Sequence, residues 1–301
     1  MLSDLISLFN QYPVAFYSSC AVLGLLVGSF LNVVIYRLPK MMQAEWACEC
    51  RELLADELTE EAKKSAKQSA EQSAAMTLSK PASSCPKCGA KIKPWQNIPV
   101  ISWLLLRGKC AKCSNPISMR YPIIELLSGL ASLVVAMHFG VTWQALFMIV
   151  LTWCLIALTM IDFDHMILPD QITLPLVWLG LILGLNNVFV SLDQAVIGAI
   201  AGYMSLWSIY WLFKLATGKE GMGYGDFKLF AVFGAWFGWQ LLPLLILMAS
   251  LVGAVIGVSL ILFKRHEGSK PIPFGPYLAI AGWICALWGQ QIWARYMGLL
   301  G

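Results

Sequence analysis

Charge is what this chain has least of. Only 13% of its 301 residues are Asp, Glu, Lys or Arg, against about 25% in ordinary soluble domains. With 58% hydrophobic residues, 13 Trp and a mean hydropathy of +0.69, that deficit excludes a soluble globular protein and indicates a polytopic membrane protein. Basic residues are missing from most of the chain. They occur at Arg37, Lys40, through 51–120, at Lys214, Lys219, Lys228, Lys264, Arg265 and Lys270, and otherwise only at Arg295. No extended basic arm exists to suggest nucleic acid as a partner. The start, Met1 to Pro13, lacks a basic n-region and carries Asp4, so no cleavable signal peptide is expected and the first apolar helix should stay as a span.

Apolar runs long enough to cross a bilayer are abundant. The first, 13–36, ends at Arg37 and Lys40, which places that end inside and the N-terminus outside. Seven more are expected at roughly 121–138, 143–161, 171–189, 193–213, 227–241, 244–263 and 276–298. Eight spans put nearly every basic residue, including Lys264, Arg265 and Lys270, on the cytoplasmic side; seven would not. The chain therefore reads as an all-α membrane protein of about eight transmembrane helices. Its expected divisions are a first helix at 13–36, a cytosolic domain at 41–120 and a seven-helix core at 121–298.

The sizeable polar region, 41–120, changes character midway. From Glu45 to Lys80 it is rich in Ala, Glu, Gln, Ser and Lys, with Leu53, Leu54 and Leu58 at helical spacing, which predicts a surface helix grading into a low-complexity tether. Then come Cys85-Pro86-Lys87-Cys88-Gly89 and Cys110-Ala111-Lys112-Cys113, two Cys-x-x-Cys pairs separated by twenty-one residues. Four thiolates so arranged can hold one tetrahedral zinc and fold a segment too small for a core of its own, giving a zinc-ribbon-like module at 85–113. Four Cys ligands leave no open coordination position, so that zinc is structural. A redox dithiol and incidental cysteines are the other readings. Cys20, Cys48, Cys50, Cys154 and Cys285 read as free thiols.

Two acids stand where acids are expensive. Asp226 follows three alternating glycines in Gly221-Met222-Gly223-Tyr224-Gly225-Asp226 and opens an apolar run. It reads as a helix N-cap, with the helix beginning at or just after it, or as a functional carboxylate at the membrane boundary. Asp162 ends the third expected span, after Thr159-Met160-Ile161, at a similar depth. Two carboxylates sharing a proton and a water are the equipment of aspartic proteolysis, one protonated to polarise a carbonyl and the other ionised to activate water. Asp164 and Asp170 compete with Asp162 for that role; Asp164 and His165 read as interfacial residues, and Asp170, after Pro169, as a cap.

These residues resemble the type IV prepilin peptidases, the leader peptidases and N-methyltransferases of pilus assembly and type II secretion, proteases of the Gly-x-Gly-Asp type. Gly223-Tyr224-Gly225-Asp226 looks like the second catalytic aspartate, and Asp162, in Ile-Asp-x-x-x-x-x-Leu-Pro-Asp, like the first. The resemblance extends to 28–34, to the two cysteine pairs, to 97–103, 107–110 and 117–122, and to Pro273-Phe274-Gly275-Pro276-Tyr277; it leaves out 41–80. It implies a bifunctional enzyme of the Gram-negative inner membrane. The enzyme would cut the basic leader from prepilins and pseudopilins after a glycine on the cytoplasmic side. It would then methylate the new N-terminus with S-adenosylmethionine. Gly223 and Gly225, in the Gly221–Gly225 loop, would let substrate backbone lie along it as an extended strand, or would serve only the tight turn into the helix. For the methyl donor, Arg107, Gly108, Lys109 and Glu125 are the candidates, with ribbon surface and a helix-end charge as the alternative.

Two rival readings remain. A presenilin-like protease shares Gly-x-Gly-Asp, but its first acid is expected in a Tyr-Asp setting, not Ile161-Asp162, and it lacks the cysteine pairs. A transporter or assembly scaffold would use buried acids as a proton path, strung through the membrane rather than gathered at one face.

Overall fold

The computed structural model describes residues 2–53, 76–262 and 273–300. The tether around Leu54 and Leu58, and Lys264, Arg265 and Lys270 on which the count of spans leaned, lie outside the described residues. The described chain is helical apart from the cysteine-rich segment, and it divides into two compact units, 1–134 and 135–301.

The first unit begins with α1 (Leu2–Gln11) and α2 (Pro13–Leu53). The expected break at Lys40 does not occur: α2 runs on through Pro39 to Leu53, so first span and surface helix are one element. Of its lipid-compatible face, Val22, Leu23, Leu26 and Phe30 are each at least half exposed. The opposite face carries Gly24 and Gly28, one turn apart, and packs against α4 (Arg120–Phe139). A side chain at Gly28 would lie 2.8 Å from Glu125 Cα, so small residues set this spacing, as is common where helices pack in lipid. Asn32 Nδ2 closes the contact by donating to the Tyr121 carbonyl at 3.2 Å. Between α2 and α4 lie the cysteine-rich loops and the short helix α3 (Ile101–Leu105).

The second unit holds α5 (Trp143–His165), α6 (Asp170–Leu185), α7 (Leu192–Thr217), α8 (Tyr224–Phe237), α9 (Leu242–Leu262) and α10 (Gly275–Leu300). Together with α2 and α4 these eight helices occupy the eight expected stretches. Among the described residues, five segments are long and apolar enough to cross a membrane, within α2, α4, α5, α7 and around α9; α6 is a shorter apolar helix.

The core of this unit is α8. Every residue from Leu229 to Trp236 is buried, the mark of a helix surrounded by protein rather than lying at a surface. At fourteen residues it spans about 21 Å, short of the roughly 30 Å hydrocarbon layer. Each neighbour receives it with a glycine. Gly180 of α6 lies under the Trp236 indole, whose Nε1 donates to the Leu176 carbonyl at 2.8 Å. Gly282 of α10 lies under the Phe233 ring, and Gly198 of α7 meets Gly234 backbone to backbone. Four residues on, Gly202 lies against Phe230, a side chain there coming 2.7 Å from its carbonyl oxygen. The apolar run after Asp226 is therefore a buried central rod, with the turn Trp239–Leu241 leading into α9.

Candidate active site

Asp162 sits in the last turn of α5, which ends at His165 because Met166 turns into the left-handed region (φ 55°) and donates its N–H to the Asp162 carbonyl. Burial of Asp162 (6% exposed) follows from the packed face of α5 that also carries Leu151, Leu155, Leu158 and Ile161. Asp226 is buried to the same extent. It is not the cap of α8. The helix begins two residues earlier at Tyr224, Gly223 takes the cap position in extended conformation, and Asp226 is the third helical residue. From there its Oδ2 reaches back to accept the Gly223 N–H at 3.2 Å, the carboxylate half of a capping box.

The two acids are linked through one side chain: Leu168 lies against Gly225, next to Asp226, and against Gly275, which holds Asp162. Each is gripped by a glycine amide, Asp226 by Gly223 and Asp162 by Gly275, whose N–H donates to Asp162 Oδ2 at 3.0 Å. Asp226 Oδ1 is fully buried without a hydrogen-bond partner among the described residues, an arrangement that a folding role alone does not explain. Gly225 serves close approach, since a side chain there would lie 2.7 Å from Leu168 Cβ. The competitors fall away from the pair. Asp164 and His165 are exposed on the last turn of α5, and Asp170, first residue of α6, is bound by Lys228. A glycine between Phe274 and Pro276 is a visible turn signal, but nothing local says which carboxylate its amide meets, 113 residues away in the chain.

In the first unit the four predicted cysteines converge. The Sγ atoms of Cys85, Cys88, Cys110 and Cys113 lie within 4.8 Å of one another. Each pair opens a small turn of the same form: Cys85 N donates to Ala90 O and Gly89 N to Cys85 O, while Cys110 N donates to Asn115 O and Ser114 N to Cys110 O, all at 2.8–2.9 Å. Gly89 (φ 66°) and Ser114 (φ 56°) hold equivalent left-handed positions. The backbone N–H groups of Cys88 and Lys87 point at Cys85 Sγ and pull that thiol down to about 6. A tetrahedron with bonds of about 2.3 Å has edges of about 3.8 Å; Cys85 Sγ and Cys113 Sγ are 3.7 Å apart. The donor set and its spacing fit a zinc ion.

Of the residues named for the methyl donor, Glu125 is 8% exposed and its Oε2 accepts the Val100 N–H at 2.7 Å. Val100 has φ 60°, costly for a β-branched residue, so this bond stabilises a strained turn into α3. Gly108 (φ 65°) lies against the Trp103 ring, and Arg107 (φ 51°) and Lys109 flank it in the same turn.

Comparison with known proteins agrees with both units. Residues 22–139 match the family described as the bacterial peptidase A24 N-terminal domain, and residues 149–258 match the type IV leader peptidase family. A prepilin leader peptidase/N-methyltransferase of Pseudomonas aeruginosa is 54% identical over 297 residues, covering 99% of either chain. The chain belongs to the type IV leader peptidase family. Relatives with the same name in Stutzerimonas stutzeri and Legionella pneumophila are 57% identical over 285 residues (95% of either chain) and 45% identical over 292 residues (97% of this chain, 98% of the relative). No solved structure matches. The family alignment thus takes in both the cysteine cluster and the aspartate pair.

Proposed function

We propose that the protein is a prepilin leader peptidase and N-methyltransferase of the bacterial inner membrane. It removes the leader of prepilins and pseudopilins after glycine and then methylates the exposed N-terminus. The observation that carries the peptidase reading is the buried pair Asp162 and Asp226, each with one oxygen held by a glycine amide and, on Asp226, one oxygen left over.

In this reading one aspartate is ionised and takes a proton from water as the water oxygen adds to the scissile carbonyl carbon. The other is protonated and gives its proton to the carbonyl oxygen. As the resulting diol collapses, the second aspartate takes back a hydroxyl proton and the first gives its proton to the nitrogen, so the C–N bond breaks to leave a carboxyl group and a free amine with both aspartates restored. Gly223, with only the Asp226 carboxylate near it, leaves room beside the pair for substrate backbone in extended form, while Gly225 is taken up by its packing on Leu168. Cleavage and zinc module lie on the cytoplasmic side, as the basic residues suggest, with 13–36, 41–120 and 121–298 as anchor, cytosolic domain and catalytic core.

Cys85, Cys88, Cys110 and Cys113 hold a structural zinc, whose contribution is to fold its segment. S-adenosylmethionine supplies the methyl group. Arg107, Gly108, Lys109 and Glu125 remain the residues put forward for it, but Glu125 is engaged with Val100 and Gly108 with Trp103. They fit a structural role. The transporter or scaffold alternative is not favoured, because the relatives carry a peptidase and methyltransferase name.

The test is leader removal from a prepilin by the purified protein, wild type against Asp162→Asn and Asp226→Asn, with zinc content and thermal unfolding followed alongside. Loss of cleavage by at least about 10³-fold in each variant, with fold and zinc intact, is expected. Cutting by both variants at wild-type rate sinks the two-aspartate reading.

A further inference from the structure

We propose that Gly275 is a positioning residue for cleavage, its backbone amide holding Asp162 in working orientation while Leu168 sets the distance. The inference rests on the two-aspartate reading above. It begins with a bond that no local signal dictates: Gly275 N–H to Asp162 Oδ2, 3.0 Å, buried at both ends. Gly275 is the first residue of α10, so its N–H is one of the first-turn donors without an intrahelical partner, at the end of the helix where the dipole favours an anion. Phe274 ahead of it accepts from Tyr277 and Leu278, both at 3.1 Å, which pins the turn. Pro273 and Pro276 flank the pair with fixed φ. The donor is thus held rigidly, as a group that orients a reacting carboxylate must be.

The position also excludes a side chain. A Cβ on Gly275 would lie 2.6 Å from Asp162 Oδ2 and 3.2 Å from Leu168 Cδ1. The first contact displaces the carboxylate itself. Leu168, 8% exposed, is wedged between this glycine and Gly225, where a Cβ would lie 2.7 Å from Leu168 Cβ. One side chain therefore spaces the glycine that grips Asp162 from the glycine that precedes Asp226. Gly223 grips Asp226 in the same manner at 3.2 Å, so the pair is held from two backbone sites on two helices, and only one of these lies in the Gly-x-Gly-Asp element. Alignment errors of about 1 Å cost on the order of 10²-fold in rate.

The experiment uses the full-length enzyme in lipid nanodiscs, with wild type, Gly275→Ala, Leu168→Ala, the double variant, Asp162→Asn and Asp226→Asn. Steady-state leader removal gives kcat and KM; N-methylation of pre-cleaved pilin and thermal unfolding report on the rest of the molecule. Gly275→Ala is expected to lower kcat about 10²-fold with KM within about twofold, while methylation of pre-cleaved pilin persists. Leu168→Ala, which leaves Asp162 untouched, should lower kcat about tenfold. The double variant should lose less than the product of the two, because both act through one contact. Wild-type kcat in Gly275→Ala overturns the proposal, as does a loss of cleavage matched by an equal loss of methylation and a lowered Tm. Should Gly275→Ala fail to fold, Leu168→Ala decides alone: an unchanged kcat overturns the proposal, and a kcat loss with KM and methylation preserved supports it. If the aspartate variants still cut, the dyad reading fails; if they are dead while Gly275→Ala and Leu168→Ala keep full kcat, only the positioning role fails.

Discussion

Lys228 Nζ lies 2.7 Å from both carboxylate oxygens of Asp170, tying the first residue of α6 to α8 two residues beyond Asp226. Asp170 follows Leu168 and Pro169, so one short segment meets the start of α8 twice, by an ion pair and by the packing of Leu168 on Gly225.

This pair predicts a clean separation between aspartates. The Asp170 side chain is 49% exposed, and exposed pairs stabilise by roughly 0.2–1 kcal/mol. Asp170→Asn is therefore expected to lower stability by less than about 1 kcal/mol, in a salt-dependent way, and to keep at least about a tenth of wild-type cleavage. Asp162→Asn should keep none. Parallel prepilin assays check the contrast, and an inactive, fully folded Asp170→Asn would move the catalytic assignment.

Zinc removal should act on the first unit before the second. Cys85→Ser or Cys113→Ser is expected to abolish stoichiometric zinc, read by elemental mass spectrometry, and to open residues 76–119 to limited proteolysis. Four ligands held in one cluster leave the metal no chemistry of its own, so methylation should fall further than cleavage. A variant that keeps one zinc per chain argues against four-Cys coordination.

The two turns of the ribbon carry different residues at the equivalent left-handed position, Gly89 and Ser114. A non-glycine residue there costs roughly 1 kcal/mol, and nothing lies within 4 Å of a Cβ on Gly89. Gly89→Ala should weaken zinc binding about fivefold through conformation alone. Ser114→Gly should leave it equal or tighter, as judged by chelator competition. Opposite signs would refute the symmetry of the turns.

Where α7 crosses α8, Gly198 and Gly234 meet through their backbones. Gly198→Ala should cost at least about 3 kcal/mol or prevent folding, because the obstacle is main chain and cannot rotate away. Gly298→Ala, with open space around it, is the neutral control; thermal unfolding in detergent distinguishes them.

Much of this was written in local sequence. Hydropathy located the eight helices, because burial in lipid or protein demands long apolar runs wherever it happens. The spacing of Cys85, Cys88, Cys110 and Cys113 announced a shared cation, since two thiols three residues apart already share a turn. The aspartates stood out because an acid in an apolar run is costly. Other features were harder to read. Pro39 does not end α2, and the α8 boundary moved from Asp226 to Tyr224 because Gly223 takes the cap.

By itself, then, the sequence determined the membrane class, the four clustered cysteines and the two carboxylates worth testing, all matters of composition and short-range spacing. Only tertiary structure decided that α8 is a buried rod received by glycines, that Asp170 belongs to Lys228, and that the amide of Gly275 belongs to Asp162. Those are encounters between segments tens to more than a hundred residues apart. They are chosen by how closely helices can pack once side chains are absent, a property of pairs of surfaces that no single stretch of chain carries.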